Sequence, residues 1–273
     1  MCFLCLFFVA GVEHRPITCF WFPLGMNGIE IHGLTKRFDD KLAVYGLSLE
    51  IGEGELFGLL GPNGAGKSVT IKTLCGINQP SSGGAKIKGY DVVSEIDKIR
   101  HIIGVCPQEP AYFPYLSGRE NIRLFGSLNG MGAKVLDERT DALVEAVGLG
   151  SDADRRSGKY SGGVVRRVSL AMALVNDPKV CFLDEPTVAM DPQSRHATWD
   201  IIRDLNANNK TVILTSHYIE EVQELADRVG IIDHGQLIAL GTSEDLMKEN
   251  DTGNLEEVFI KLTGRRIREE NGQ

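Results

Sequence analysis

The chain has no apolar run of the roughly 20 residues that a membrane-spanning helix needs. Its longest such run, Cys2 to Gly11, is about half that length. No basic region precedes this run and no clear small-residue cleavage site follows it, so it does not make a secretory signal. Regular patterning begins at Ile29-Glu30-Ile31, just after Met26. Residues 1–27 therefore read as an apolar extension, either outside the native start at Met26 or poorly ordered. Basic residues are also in deficit: the net charge is −8 and the pI is near 5.3. Phosphate backbones are held mainly by Lys and Arg, so no nucleic-acid partner is expected. A disulfide framework is missing too. Cys75, Cys106 and Cys181 fall inside predicted helices or strands and read as small core residues of a reducing compartment. Cys2 and Cys5 form a C-x-x-C pair with only Cys19 nearby, too few ligands for a metal site. There is no internal repeat and no low-complexity segment. What remains is a chain of 273 residues, long enough for one large domain or two small ones around a sizeable core.

The stretch from Gly61 to Ser68 organises that chain. Gly61-Pro62-Asn63-Gly64-Ala65-Gly66-Lys67-Ser68 fits the GxxxxGK[ST] phosphate-loop template at every fixed position. Leu56 to Leu60 before it reads as a buried strand, and a helix starts at Val69, the context the motif requires. Glycines let the backbone close around a phosphate with its N–H groups turned inward. The helix N-terminus adds about half a positive charge and Lys67 a full one. Ser68 offers a hard oxygen to Mg²⁺. The expected phosphate-binding set runs from Gly61 through Val69.

Taken in order, Ile29–Gly33 and Leu47–Ile51 alternate and read as strands joined through a turn at Asp39-Asp40-Lys41. Asn78 to Gly84 reads as a loop, Ala85 to Lys88 as a short strand, and Gly89-Tyr90-Asp91 as a turn. A strand at Ile102–Cys106 ends at Pro107-Gln108-Glu109-Pro110. The middle is helical: Ser117-Gly118-Arg119-Glu120 has capping-box spacing, and Asp137–Val147 has helical periodicity ending at Gly148. The helix after Gly163 puts Val164, Val168, Ala171 and Val175 on one face, with Arg166 and Arg167 expected elsewhere. Val180–Leu183 is an apolar strand closing in Asp184-Glu185-Pro186, followed by a helix over Ser194–Asn206. Thr211–Thr215 is another buried strand, ending in Ser216-His217, with a helix over Ile219–Asp227. His234-Gly235 reads as a two-residue hairpin turn between Val229–Asp233 and Gln236–Leu240. A charged helical remainder ends in a polar tail.

Lys67, Gln108, Asp184, Glu185 and His217 all fall just after predicted strands. Open α/β sheets bind ligands at the carboxyl ends of their strands, so these residues can converge on one phosphate site. One of the adjacent carboxylates Asp184 and Glu185 can serve Mg²⁺ while the other faces an attacking water, and His217 can donate to the terminal phosphate. Ser161-Gly162-Gly163 at a helix start is either a second anion site or an ordinary N-cap with flexible glycines.

Together these motifs resemble the ATP-binding subunit of an ATP-binding-cassette (ABC) transporter. The order is that family's: Walker A at Gly61–Ser68, the Q-loop at Gln108, the signature at Tyr160–Val164, Walker B at Val180–Asp184 with Glu185, the D-loop at Ala189-Met190-Asp191, and the H-loop at His217. The resemblance covers residues 28–262, with a helical subdomain inserted at about 109–178 and a polar tail over 263–273. It implies an α/β fold: a P-loop NTPase core of mainly parallel sheet, an antiparallel β subdomain and the helical insert.

The resemblance also implies a mechanism. Two cassettes pair head to tail, each ATP lying between Walker A of one and Ser161, Gly162 and Gly163 of the other, with Asp191 at the same junction. Phe38 stands where the family carries an adenine-stacking aromatic; a core phenylalanine is the alternative. Lys67 holds phosphates, Ser68, Gln108 and Asp184 serve Mg²⁺, Glu185 polarises water, and His217 steadies the γ-phosphate. Gln108 also links the site to an integral membrane permease, which places the chain on the cytoplasmic face of a membrane. Leu255–Gly264 is similar to the end of single-domain exporter ATPases serving drug, antibiotic or polysaccharide permeases, and Tyr112-Phe113-Pro114-Tyr115 is a docking surface for the permease if exposed. Two departures stand out. Val164 replaces the glutamine that commonly ends the signature, and Ala189-Met190 replaces Gly-Leu in the D-loop; neither removes a charged group. A soluble ABC ATPase acting on ribosomes or DNA is the second reading, weakened because tandem cassettes, long coiled coils and zinc inserts are missing. A non-hydrolysing regulator is the third, opposed by the retention of Lys67, Asp184, Glu185 and His217.

Overall fold

Ten strands and nine α-helices build two sheets and their covers within residues 27–264, which are the residues the computed structural model describes. The readings made for the N-terminal extension, including Cys2, Cys5, Cys19 and a start at Met26, and for the tail from Arg265 lie outside the described residues. In chain order the elements are β1 (Asn27–Phe38), β2 (Lys41–Gly52), β3 (Leu56–Leu60), α1 (Lys67–Leu74), β4 (Ser82–Ile87), β5 (Tyr90–Asp91), α2 (Ile96–Arg100), β6 (Ile103–Cys106), α3 (Gly118–Leu128), α4 (Ala133–Ala146), α5 (Gly162–Leu174), β7 (Val180–Asp184), α6 (Pro192–Ala207), β8 (Thr211–Thr215), α7 (Ile219–Leu225), β9 (Arg228–Asp233), β10 (Gln236–Gly241), α8 (Ser243–Asn250) and α9 (Leu255–Thr263).

The larger sheet has the order β10-β9-β3-β8-β7-β6. All neighbours from β9 to β6 are parallel, and β10 closes the edge antiparallel to β9. Parallel strands are covered on both faces, and β3, β7 and β8 are buried at every position. Alternation along each strand divides the core. Phe57, Phe182 and Ile213 pack with Ile71, Leu74 and the inner face of the small sheet. Leu56, Leu183, Val212 and Leu214 pack with Val168, Ala171, Trp199 and Ile202 of the helical side. Each fully buried phenylalanine contributes about 1.5–3 kcal/mol by leaving water, so the strands that carry the site residues are firmly anchored.

The smaller sheet, in the order β2-β1-β4-β5, is antiparallel throughout. Its strands run longer than their alternation indicates because register shifts, such as that between Ile31 and Leu34, interrupt the period of two. β4 starts at Ser82 rather than Ala85: Ser82 and Gly84 pair with Thr35 and His32, a long-range pairing that overrides the loop-like sequence. The turn expected at Gly89-Tyr90-Asp91 lies at Lys88-Gly89, and Tyr90 and Asp91 fold back onto Ile87 and Lys86. α2 has only five residues, too few to show a period. His234 and Gly235 have φ of 47° and 78°, both positive as a two-residue hairpin turn demands. Among the described residues, no helix is long and apolar enough to cross a membrane. Cys75, Cys106 and Cys181 are free and buried; burial pushes the Cys181 thiol up to about 12, so it stays protonated and inert.

Candidate functional site

Four neighbouring strands of the larger sheet, β3, β8, β7 and β6, deliver the sequence-predicted groups to one edge. Lys67 follows β3 through the glycine-rich loop, His217 follows β8, Asp184 ends β7 with Glu185 next, and Gln108 follows β6. Their contacts show that they meet. His217 Nε2 lies 2.6 Å from Glu185 Oε1, and Gln108 Nε2 donates to Glu185 Oε2 at 3.3 Å. Burial pushes the Lys67 ammonium below the ordinary lysine range, while the charges of Glu185 and then Asp184 pull it back up. Lys67, Asp184, Glu185, Gln108 and His217 therefore share one site.

The loop that presents Lys67 is held by its own carbonyls and by the small sheet. Lys67 Nζ donates to Gly61 O at 2.5 Å and Pro62 O at 3.2 Å. Gly66 has φ 110°, and a Cβ there would lie 2.5 Å from Ala43 O on β2, so only glycine fits. Gly235 N donates to Ala65 O at 2.9 Å, tying the hairpin turn to the loop. The first turn of α1 carries no acidic residue, so its positive end is left for an external anion. Ser68 and Val69 are half-buried at that end.

The acids are fixed by β8. Thr215 Oγ1 donates to Asp184 Oδ1 at 2.5 Å, and Glu185 N donates to Thr215 O at 3.0 Å and contacts Thr215 Oγ1 at 3.1 Å. Glu185 takes φ 57°, a left-handed conformation that costs a non-glycine residue about 1–2 kcal/mol. The two contacts from Glu185 N to Thr215 hold the backbone in this conformation. Among the described residues no cluster of three His, Cys, Asp or Glu side chains stands ready for a metal. The chemistry of Ser68, Gln108 and Asp184, a hydroxyl, an amide oxygen and a carboxylate, would fit a hard cation such as Mg²⁺.

Sequence reasoning missed the layer beneath these groups. Thr215 was legible only as a strand residue. Glu221, four residues after His217, is fully buried; Trp199 Nε1 donates to its Oε1 at 2.7 Å, while its Oε2 is buried with no hydrogen-bond partner among the described residues. Burial raises its carboxyl above the usual range, and the bond from Trp199 opposes the rise. Glu221 thus ties α7, which follows His217, to Trp199 of α6. Arg166, expected away from the core, is buried and donates to the carbonyls of Pro107, Gln108 and Asp184. Arg167 is half-buried and caps the carbonyls of Val147 and Gly148.

The other predicted residues have no contact with these groups, and Gly162 and Gly163 lie against Ala189. Phe38 is 41% exposed under the Lys36 ammonium, 4.7 Å from its ring centroid, so it is not a core residue. Ser161 caps α5, accepting from Val164 N at 3.4 Å, with Ser161 and Gly162 exposed. Val164 is buried against the helical core. Asp191 caps α6, accepting from Ser194 N at 3.0 Å and Ser194 Oγ at 2.6 Å, which keeps its carboxyl below the ordinary range. Ala189 takes φ 61°, the conformation that suits glycine.

Residues 44–188 match the family model described as ABC transporter. The chain is 40% identical over 238 residues to the daunorubicin resistance ATP-binding protein DrrA3 of Streptomyces coeruleorubidus, covering 87% of this chain and 75% of that protein. It is 42% identical over 231 residues to the Nod factor export ATP-binding protein I of Burkholderia lata, covering 85% and 76%. Among solved structures, a dimeric ATP-binding cassette in a post-hydrolysis state bound to ADP and Pi superposes with a TM-score of 0.73 at 25% identity, covering 78% of this chain and 98% of that one.

Proposed function

The chain belongs to the ABC transporter family, and from that premise we propose that it is the ATP-hydrolysing subunit of an exporter whose permease is a separate membrane protein. The observation that carries this reading is the meeting of Lys67, Asp184, Glu185, Gln108 and His217 at adjacent strand ends, with Glu185 bridged to His217 and Gln108. Lys67 and the loop amides of Gly61–Val69 hold the phosphates of ATP. Ser68, Gln108 and Asp184 hold Mg²⁺, which when bound neutralises charge on the phosphate oxygens. Glu185 takes a proton from the attacking water, and the His217 Nε2 that faces Glu185 Oε1 in the structure turns its N–H to the γ-phosphate when ATP is bound. Chemistry of this kind is positioning and charge stabilisation, so fixed geometry counts for more than any covalent step.

Ser161, Gly162 and Gly163 do not complete the site of their own chain; they serve the ATP of a second copy arranged head to tail, with Asp191 at that junction. The dimeric neighbour supports this pairing. Phe38, being exposed, is free to stack on the adenine, a contact worth about 1–3 kcal/mol. Phe113 and Tyr115 are 52% and 83% exposed beyond Gln108 and form the apolar surface for a permease helix, while Tyr112 packs inward. The relatives' names, drug resistance and Nod factor export, support outward transport and a place on the cytoplasmic face of the membrane. Co-purification from detergent-solubilised membranes tests the partnership. A multi-span protein retained by the native chain and lost when Phe113 and Tyr115 are both changed to serine is the expected result; retention of no membrane protein contradicts it.

A further inference from the structure

We propose that Arg166 is a positioning residue for hydrolysis, locking the Gln108 loop to the end of β7 and tying both to the Ser161 end of α5. Parallel pairing between β6 and β7 runs from Ile103 and Val180 to Cys106 and Leu183. Past that point Gln108 and Glu185 stand on chain segments that no ladder joins. Arg166 spans the gap. Its Nη1 donates to Pro107 O and, at 3.2 Å, to Gln108 O, while Nη2 donates to Asp184 O. One planar fork thus holds the carbonyls on both sides of the 3.3 Å contact from Gln108 Nε2 to Glu185 Oε2.

The side chain is buried, and the partners described for it are main-chain carbonyls rather than a carboxylate. Burying a charge is costly unless it is well bonded, and an apolar side chain would fill the space at lower desolvation cost. The contribution of the guanidinium is therefore geometric. Lysine carries its donors on one nitrogen and cannot bridge two segments in this way. Arg166 also lies on the same short helix that Ser161 caps, so the end of α5 that faces a second copy's ATP and the clamp on the chain's own site move as one body. This last link rests on the head-to-tail reading above; the clamp itself does not.

Arg166→Gln and Arg166→Lys, each alone and combined with Gln108→Ala, test the proposal. ATP affinity should stay within about twofold, and kcat should fall by about 10–100-fold, the size of effect that a misplaced reacting group produces. Because Arg166 acts through the Gln108 segment, each double variant should be no slower than the slower of its two single variants. Hydrogen exchange on Arg166→Lys should show faster exchange confined to the amides of residues 108–113. Losses that multiply in the double variants, or wild-type kcat and wild-type exchange in Arg166→Lys, overturn the proposal. If Glu185→Gln hydrolyses ATP as fast as the native chain, it is the assignment of the water-activating base that fails, and the exchange measurement still decides for or against the clamp.

Discussion

Glu185→Gln should leave ATP binding intact and lower turnover by about 10²–10⁴-fold, the usual worth of a positioned base. The substitution is nearly isosteric, and Gln108 must turn its amide so that its oxygen accepts from the new NH2. Glutamine keeps an oxygen to face His217 Nε2, which now lies 2.6 Å from Glu185 Oε1, and it has the same shape at the buried position. The main-chain bonds from Glu185 N to Thr215 are untouched, so the left-handed backbone at this residue persists. What is lost is the capacity to accept a proton. Phosphate release under saturating ATP measures the effect, and hydrolysis at the native rate would show that Glu185 is not the base.

Lys67→Ala should weaken ATP binding by about 10–100-fold, because a hydrogen bond from a charged group contributes about 1.5–3 kcal/mol. Lys67 is buried, so its field at the phosphates is little screened by water. Its contacts with Gly61 O and Pro62 O show that it closes the loop on itself. Removing it frees those carbonyls and takes a full positive charge from a site that already contains Asp184 and Glu185. The uncompensated acids then repel the triphosphate. Titration calorimetry reads the change directly, and equal affinity in the variant would contradict a phosphate role for Lys67.

The parts of this site carried by local signals were legible in the sequence. The glycine spacing around Lys67, the apolar runs that end in Asp184 and in Ser216-His217, and the capping spacing at Ser117 each follow from a few neighbouring residues. The capping box is present in both directions, with Ser117 Oγ accepting from Glu120 N and Ser117 N donating to Glu120 Oε2. Long-range pairing hid the rest. Ser82 and Gly84 look like a turn until β1 recruits them. Arg166 looks like a solvated arginine because its partners lie 18 or more residues away in the chain. Glu221 looks like one acid of an exposed helical face, yet the fold buries it completely and brings Trp199 onto it from α6. The exposure of Phe38, too, follows from its place at the turn end of the β1–β2 hairpin, where it pairs with Lys41 across Asp39-Asp40.

Light scattering on Glu185→Gln tests the central claim most directly: that ATP held at Lys67 is enclosed by Ser161 of a second copy. With ATP and Mg²⁺ the variant should shift from the mass of one 29.9 kDa chain to that of two, and with ADP it should return to one. On the proposed head-to-tail pairing, changing the exposed Ser161 to a bulky residue such as phenylalanine should block the shift by filling the junction with the second copy. A single-chain mass in ATP, or a dimer equally populated without nucleotide, would contradict the account.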